Sequence, residues 1–364
     1  MRRLGLLFGG RSGEHEISIL SAASMIEAID GNRYEIVKIG INKSGGWYLI
    51  EKDMSGIESL DDDRLKTLIP DGSGAQTGGA AKPVSPGDIP ALVDFVFPAL
   101  HGPYGEDGRM QGLLETLNVP YGGCGVACSA VAMDKIFTRE IWARAGLPVC
   151  GHVALFAEDY KADPGGEIDA VESALGYPVF VKPANLGSSV GISKAKSREG
   201  LKEGIAEALK YDRRLIVEEC VNCRELETGV LGNRQVLSAA VGEIIPAAEF
   251  YDYESKYRDA GTAIVVPADI PADTAKEIKN LAEKAYCVLN GEGFARVDFF
   301  LERETGRIFI NEINTIPGFT KYSMFPLLWK EAGLPYGELI ERIVELGYER
   351  YFSENHRKAN GFGG

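Results

Sequence analysis

The chain has 364 residues, 45% of them hydrophobic and 25% charged, ordinary globular usage at a length that accommodates two or three domains. Lys and Arg total 39 against 53 Asp and Glu, a formal charge of -14 with no basic block, which argues against a nucleic-acid partner. No apolar run approaches membrane-spanning length, and the start, MRRLGLLFGGRSGEHEIS, reaches Gly9-Gly10, Glu14 and Glu16 too soon for a signal peptide. No membrane partner and a cytoplasmic location are therefore expected.

Residues 4–8 (LGLLF), 35–40 (EIVKIG) and 92–99 (LVDFVFPA) read as short apolar strands around a helix at 16–30, the alternation of a small parallel α/β unit. The glycine- and acid-rich stretch 44–90 is expected to be a surface excursion outside the core. A helix is predicted over 129–145 (SAVAMDKIFTREIWARA), stopped by Gly146-Leu147-Pro148. Strands near 152–156 and 177–182, flanking a helical 166–175, begin a second α/β unit. Strand signals return from 214 in RLIVEEC, ELETGVLG and QVLSAAVGEI, followed by a polar aromatic segment at 249–260, a helix at 272–290 and strands at 294–301 and 307–312. A last helix at about 335–350 precedes SENHRKANGFGG, a tail expected to be disordered.

The six cysteines are Cys124, Cys128, Cys150, Cys220, Cys223 and Cys287. Cys220-Val-Asn-Cys223 has the spacing of half a zinc site or a redox pair, but no second C-x-x-C or H-x-H cluster completes it. Reduced thiols in a reducing compartment are the expectation.

Three clusters could carry chemistry. In YPVFVKPANLGSSVGIS (177–193) an apolar strand ends at Lys182 and a loop of Gly187, Ser188, Ser189 and Gly191 follows. Small residues let backbone N–H groups turn toward an anion. The pattern is neither a Walker A motif nor a dinucleotide fingerprint, and taken alone such a loop is more often an ordinary turn than an anion cradle. The second cluster is Arg296-Val-Asp298 on one strand and Asn311-Glu312-Ile-Asn314 on the next. Alternation puts Arg296 with Asp298 and Glu312 with Asn314 on one face each; if the strands are neighbours, two carboxylates and an amide oxygen converge, a hard set suited to magnesium. Apolar Phe299, Phe300, Ile308, Ile310 and Ile313 fill the other positions, as they also would behind a solvated polar face. The third cluster, Glu218-Glu219 and Glu225, surrounds the end of the strand LIV and could accept hydrogen bonds from an adenine amino group and ribose hydroxyls.

Together, Lys135, Lys182, the 187–191 loop, Glu218, Glu225, Asp298, Glu312 and Asn314 resemble the ATP-grasp fold. More narrowly, LLFGGRSGEHEIS, FPALHGPYGEDGRMQG, AMDK, VKPANLGSSVG, FYDYESKY, FARVDFF and FINEINTIPGFT resemble, in order from about residue 4 to 350, the D-alanine-D-alanine ligases. The resemblance implies an N-terminal parallel α/β domain (1–124) preceding a two-lobed α+β ATP-grasp fold, with a central lobe (125–217), a C-terminal lobe (218–352) carrying a mobile loop near 249–262, and a polar tail (353–364). It implies ATP, two magnesium or manganese ions, two D-alanine substrates, an acylphosphate on the first of them, a place in peptidoglycan precursor synthesis, and a homodimer.

Residue by residue, the resemblance assigns Lys135, Lys182 and Lys256 to the ATP phosphates, Ser189 and Phe300 to further nucleotide contacts, and Glu218 and Glu225 to adenine and ribose. It assigns Asp298, Glu312 and Asn314 to the metals, with Glu312 bridging. Glu14 would hold the ammonium of the first D-alanine, Ser188 and Tyr257 would bond to Glu14 and tie the mobile loop shut, and His101 would lie near that substrate's carboxylate. Arg296 and the Gly318 N–H would form an oxyanion hole. Ser323 would bind the second substrate's carboxylate and Met324 its methyl group. Related D-alanyl-D-lactate ligases carry a histidine loop in place of FYDYESKY, so an amine acceptor is expected; D-serine is the remaining alternative. A chain that had kept nucleotide binding and lost catalysis would be expected to lose metal ligands or Arg296, and all four residues are present. Cys223 departs from the family by replacing a glycine before Glu225.

Overall fold

Leu4, Leu6, Leu7 and Phe8 are all buried, and a strand apolar on both faces belongs inside a sheet. That strand, β1 (Arg2–Gly9), lies between parallel β2 (Tyr34–Ile41) and β5 (Phe95–Pro98), with α1 (His15–Ala28) connecting β1 to β2. β3 (Trp47–Ile50) and β4 (Ala81–Pro83) extend the sheet antiparallel beyond β2, while α2 (Ile89–Leu92) leads into β5 and α3 (Arg109–Thr116) follows it. This computed structural model describes residues 1–71, 81–187, 190–246 and 262–361, the side chains of 355–361 excepted.

The stretch 44–90 is more than a surface excursion. Ile50, Met54, Ile57, Leu65, Leu68 and Ile69 are buried in one core with β1 and α1, and Ile89 joins a second cluster beside Ile39 and Val96. These apolar residues follow neither helical nor strand period, so their glycine and acidic neighbours dominate the local pattern.

The second sheet, in the order β6-β9-β7-β8, is formed by β6 (His152–Phe156), β7 (Val179–Pro183), β8 (Ser193–Ala195) and β9 (Arg214–Glu219), every neighbour antiparallel. Helices α6 (Ala157–Ala162), α7 (Pro164–Ala174) and α8 (Arg198–Ala208) cover it, while α4 (Val126–Met133) and α5 (Lys135–Arg144) precede it and bury Cys128 and Trp142 with Val297 and Phe299. The single helix expected over 129–145 is two. Asp134 adopts an extended conformation (φ -95, ψ 105) and its carboxylate caps α5 by accepting from Phe137 N at 3.1 Å. Lys135 thereby becomes the first residue of a helix rather than a mid-helix side chain.

The third sheet runs β12-β11-β10-β13-β14: β10 (Cys223–Leu231), β11 (Leu237–Ile245), β12 (Ala263–Val265), β13 (Phe294–Glu302) and β14 (Ile308–Asn314), all antiparallel. α9 (Ala272–Val288) packs Ile278, Ala282 and Ala285 against Val230, Val241 and Val297, and α10 (Met324–Glu331) packs Phe325 and Leu328 beside Leu231 and Ala239. The last helix, α11 (Tyr336–Gly361), does not stop near 350. A docked helix propagates without a new nucleation cost, and the Glu, Arg and Lys of the tail are compatible with it.

That helix closes the molecule onto its start. Leu339, Ile343 and Val344 share a core with Leu4, Leu6 and Phe8, and Tyr348 packs on Phe95 at 4.9 Å between ring centroids. Buried Arg350 donates to the carbonyls of Gly123 and, at 3.1 Å, Tyr121, with its guanidinium 4.1 Å from the Tyr121 ring centre. Arg350→Met would leave two buried carbonyls without their donor, and a loss of about 2–4 kcal/mol is expected. Denaturant melts would measure it; a variant as stable as the parent would remove this anchoring role.

Candidate active site

Between the second and third sheets, with the N-terminal unit closing one end, lies a cleft of about 1570 Å³. Each of the fourteen expected site residues within the described part of the chain lines it: Glu14 and His101 from the N-terminal unit, Lys135, Lys182 and Glu218 from the second, and Glu225, Arg296, Asp298, Phe300, Glu312, Asn314, Gly318, Ser323 and Met324 from the third. Ser188, Ser189, Lys256 and Tyr257 lie outside the described residues.

The cationic side begins with Lys182, whose Nζ is 2.6 Å from Glu218 Oε2; Arg139 Nε donates to the other oxygen, Oε1, at 2.6 Å. Burial alone would raise the Glu218 pKa, but Arg139 and Lys182 hold it well below the usual carboxylate range. Glu218 is thus a fully engaged counter-ion rather than a free acceptor. Lys135 donates from Nζ to Leu186 O at 2.6 Å, at the root of the glycine loop, and burial lowers its pKa. Below it Asp134 accepts from Arg214 Nη1 at 2.5 Å and from Asn185 Nδ2 at 3.1 Å, and Asn185 N donates to Asp212 at 2.9 Å. Both ends of Asn185 are held, which fixes where the loop starts.

The acidic side follows from strand register. β13 and β14 are neighbours with Arg296 opposite Asn314 and Asp298 opposite Glu312. Arg296 grips Asp298 through two hydrogen bonds of 2.7 Å and lies 2.8 Å from Glu227, while Asn314 Nδ2 donates to Asp298 at 3.0 Å. Burial disfavours the Arg296 charge, but Asp298 and Glu227 more than offset it and keep the guanidinium ionised. Two carboxylates and a carboxamide on adjoining strands form an oxygen-rich set that fits a hard divalent cation. Among the described residues no group of three or more His, Cys, Asp or Glu is placed to hold a metal ion.

At the far end His101 is buried and neutral, since burial lowers its pKa. Its Nδ1–H donates to Ile316 O at 2.9 Å, and Nε2 lies 2.9 Å from Ser21 Oγ, which in turn accepts from Phe319 N at 3.4 Å. Both ring nitrogens are therefore spent on positioning the turn that carries Gly318. A Cβ at Gly318 would meet Ser323 Oγ at 3.2 Å, so glycine permits that approach. Ser323 Oγ also accepts from Thr320 N at 3.1 Å. Gly102 (φ +74) likewise has no room for a side chain: its Cβ would sit 2.8 Å from Glu14 Oε2.

Sequence reasoning assigned nothing to Arg139, Glu227 or Glu106. Glu227 follows Glu225 by two on β10 and lies opposite Asp298, so strand alternation in ELETG could have found it. Glu106 sits in the same glycine-rich motif as His101; it accepts from Gly102 N at 2.6 Å and Ile316 N at 3.4 Å. Arg139 lies on a helix 79 residues before its partner, and no local pattern announces it.

The fold is shared with solved ligases. The D-alanine-D-alanine ligase from Coxiella burnetii covers 98% of this chain and 97% of its own at TM-score 0.84 and 34% identity. VanG D-Ala:D-Ser ligase from Enterococcus faecalis covers 95% and 99% at TM-score 0.82 and 33% identity. The protein is thus an ATP-grasp enzyme. The families described as D-ala D-ala ligase N-terminus and C-terminus match residues 3–124 and 141–345. D-alanine–D-alanine ligases of Geobacillus thermodenitrificans and Bacillus pumilus are 45% and 46% identical, each over 96% of this chain and 96% of their own length. The chain belongs to the D-alanine–D-alanine ligase family.

Burial, and next to it the charge of Glu14, push the Glu106 carboxyl up to about 8, with Glu312 adding to the rise. A carboxyl raised on folding stabilises the fold fully below its unfolded pKa, and that contribution is lost as pH rises through the folded value. The ligand-free protein should therefore lose thermal stability between about pH 4.3 and about pH 8, and Glu106→Gln should flatten this slope. Parallel pH profiles of melting temperature for the two proteins would contradict the assignment.

Proposed function

We propose that this cleft joins two D-alanine molecules into D-alanyl-D-alanine at the expense of ATP, for peptidoglycan precursor synthesis, through a D-alanyl phosphate. The observation that carries the reading is the register of β13 and β14, which brings Arg296, Asp298, Glu312 and Asn314 into the same cleft as Lys135 and Lys182. Phosphoryl transfer to a carboxylate places charge on oxygens in flight, so a site for it needs positioned cations beside a metal-binding oxygen set. Two magnesium or manganese ions, held by Asp298, Glu312 and Asn314, would supply charge neutralisation at the transferring oxygens.

Lys135 and Lys182 grip the ATP phosphates. Lys135 does so by exchanging the Leu186 carbonyl for a phosphate oxygen, and Lys182 is held in place by Glu218, whose contribution to nucleotide binding is exerted through that lysine. Glu225 takes the ribose and Phe300 lies against the purine; Ser189 and Lys256 complete the phosphate contacts. Glu14 receives the ammonium of the first D-alanine, with Ser188 and Tyr257 bonding to that carboxylate as the loop near 249–262 closes. His101 acts on this substrate's pocket through Ile316 and Phe319. As the second amine adds, the tetrahedral oxyanion is met by Arg296, fixed by two carboxylates, and by the Gly318 N–H. Ser323 and Met324 receive the carboxylate and methyl group of the second substrate.

The curated relatives are named for D-alanine, so an acceptor of D-serine or D-lactate is not favoured. A homodimer in the cytoplasm completes the proposal; among the described residues no helix is long and apolar enough to cross a membrane. Purified protein given ATP, magnesium and D-alanine should release phosphate and form the dipeptide. Absence of both would sink the reading, while competition among D-alanine, D-serine and D-lactate with product analysis tests the acceptor.

Glu312→Gln removes one charge from the metal-binding set and leaves shape and packing in place. Ligation should fall by about two orders of magnitude or more, a loss of about 3 kcal/mol of transition-state stabilisation, with the melting temperature little changed. Near-normal turnover would remove Glu312 from the metal set.

A further inference from the structure

We propose that Cys220 and Cys223 form a thiol–disulfide exchange site in the wall of the cleft, taking a small-molecule disulfide of the glutathione type. Both residues are partly exposed and both line the cleft, in the crossing between the end of β9 and the start of β10. Cys124, Cys128 and Cys150 are buried, and Cys287 is exposed on α9, away from the cleft. The crossing is pinned at each end, Cys220 N donating to Pro178 O at 3.1 Å and Arg303 N to Asn222 O at 2.9 Å, so the two thiols are presented from a short, fixed segment.

The order of reaction follows from the surroundings. Burial pushes the Cys223 thiol up to about 12, the charges of Glu225 and Cys220 add to this, and Arg303 and Lys182 work against it. Cys220 is therefore the first nucleophile. It releases its proton, its thiolate attacks one sulfur of the reagent, a Cys220–reagent S–S bond forms, the reagent's own S–S bond breaks and one thiolate leaves. Cys223 then loses its proton and attacks Cys220 Sγ, which forms the protein disulfide and expels the second thiolate. Two protein thiols are oxidised, one small disulfide is reduced to two thiols, and the two protons balance the two departing thiolates.

The consequence for nucleotide rests on the functional reading above, which puts the ribose at Glu225, two residues beyond Cys223. Bound ATP would cover the crossing and protect it, and the oxidised crossing would bind ATP more weakly.

The test is peptide mapping of the full-length protein after exposure to oxidised glutathione and alkylation of remaining thiols. Cleavage after Arg214 and Arg224 isolates both cysteines on one tryptic peptide, LIVEECVNCR. That peptide should lose two hydrogens, reversibly with dithiothreitol. Cys223→Ser should stop at a stable glutathione adduct on Cys220, and Cys220→Ser should give neither product. A non-hydrolysable ATP analogue with magnesium at 100 times its Kd should slow the reaction about 100-fold. A peptide that stays reduced while Cys287 is modified, or an adduct that forms first on Cys223, would overturn the proposal. Disulfide formation at an unchanged rate in saturating nucleotide would uphold the thiol site and overturn instead the placement of nucleotide at this end.

Discussion

The buried Lys182–Glu218–Arg139 arrangement is the constraint around which the cleft is built. Each of these charges would be costly to bury alone, and the shared carboxylate makes their burial tolerable. The three side chains come from β7, β9 and α5, and Arg139 also reaches Asn311 Oδ1 on β14 at 3.4 Å. One carboxylate thereby fixes a cleft-lining lysine and the position of a helix that reaches the neighbouring sheet. Removing Glu218 would leave two cations stranded, so its effect would spread through this end of the cleft.

Against that cationic wall the other side carries an excess of acid: Asp298, Glu312 and Glu227 from the third sheet, Glu14 and Glu106 from the N-terminal unit. Arg296 balances Asp298 and Glu227, but Glu106, whose carboxyl is raised first by burial, is raised further by the charges of Glu14 and Glu312. A divalent cation between Asp298 and Glu312 would relieve part of that repulsion. The charge distribution of the chain's own residues thus suits a ligand that is itself polyanionic at one end and cation-bearing at the other, as a metal-bound nucleotide beside an amino acid is.

Much of this was legible in the sequence where the signal is local. Strand alternation in FARVDFF and FINEIN put Arg296 with Asp298 and Glu312 with Asn314, because a period of two dictates which residues share a face, while the pairing of Asp298 with Glu312 needed the strands to be neighbours, as they are. The ATP-grasp motifs gave the lining of the cleft. The break at Asp134 was less visible, since AMDKIF is apolar enough to pass as helix interior and only the capping preference of Asp argues otherwise. The core role of 44–90 was hidden because its buried residues pack individually into gaps left by other elements. Arg139 was unreadable for the same reason in electrostatic form: its partner lies far along the chain, and only the fold brings them together.

The turn from Ile316 to Ser323 shows how far such non-local support extends. It carries the candidate oxyanion donor and the acceptor-side serine, yet little of what fixes it comes from its own sheet. His101 holds Ile316 O, Ser21 receives Phe319 N, Ser24 Oγ receives Lys321 N at 2.9 Å, and Tyr336 donates to Phe319 O at 2.5 Å. Lys321 Nζ closes the set on Glu58 at 2.5 Å, from the very stretch that composition alone placed outside the core. The N-terminal unit therefore does more than present Glu14. It sets the backbone geometry of the turn that carries Gly318 and Ser323, so the precision of that end of the cleft depends on α1 and on residues near 58 as much as on the strands that bear Asp298 and Glu312.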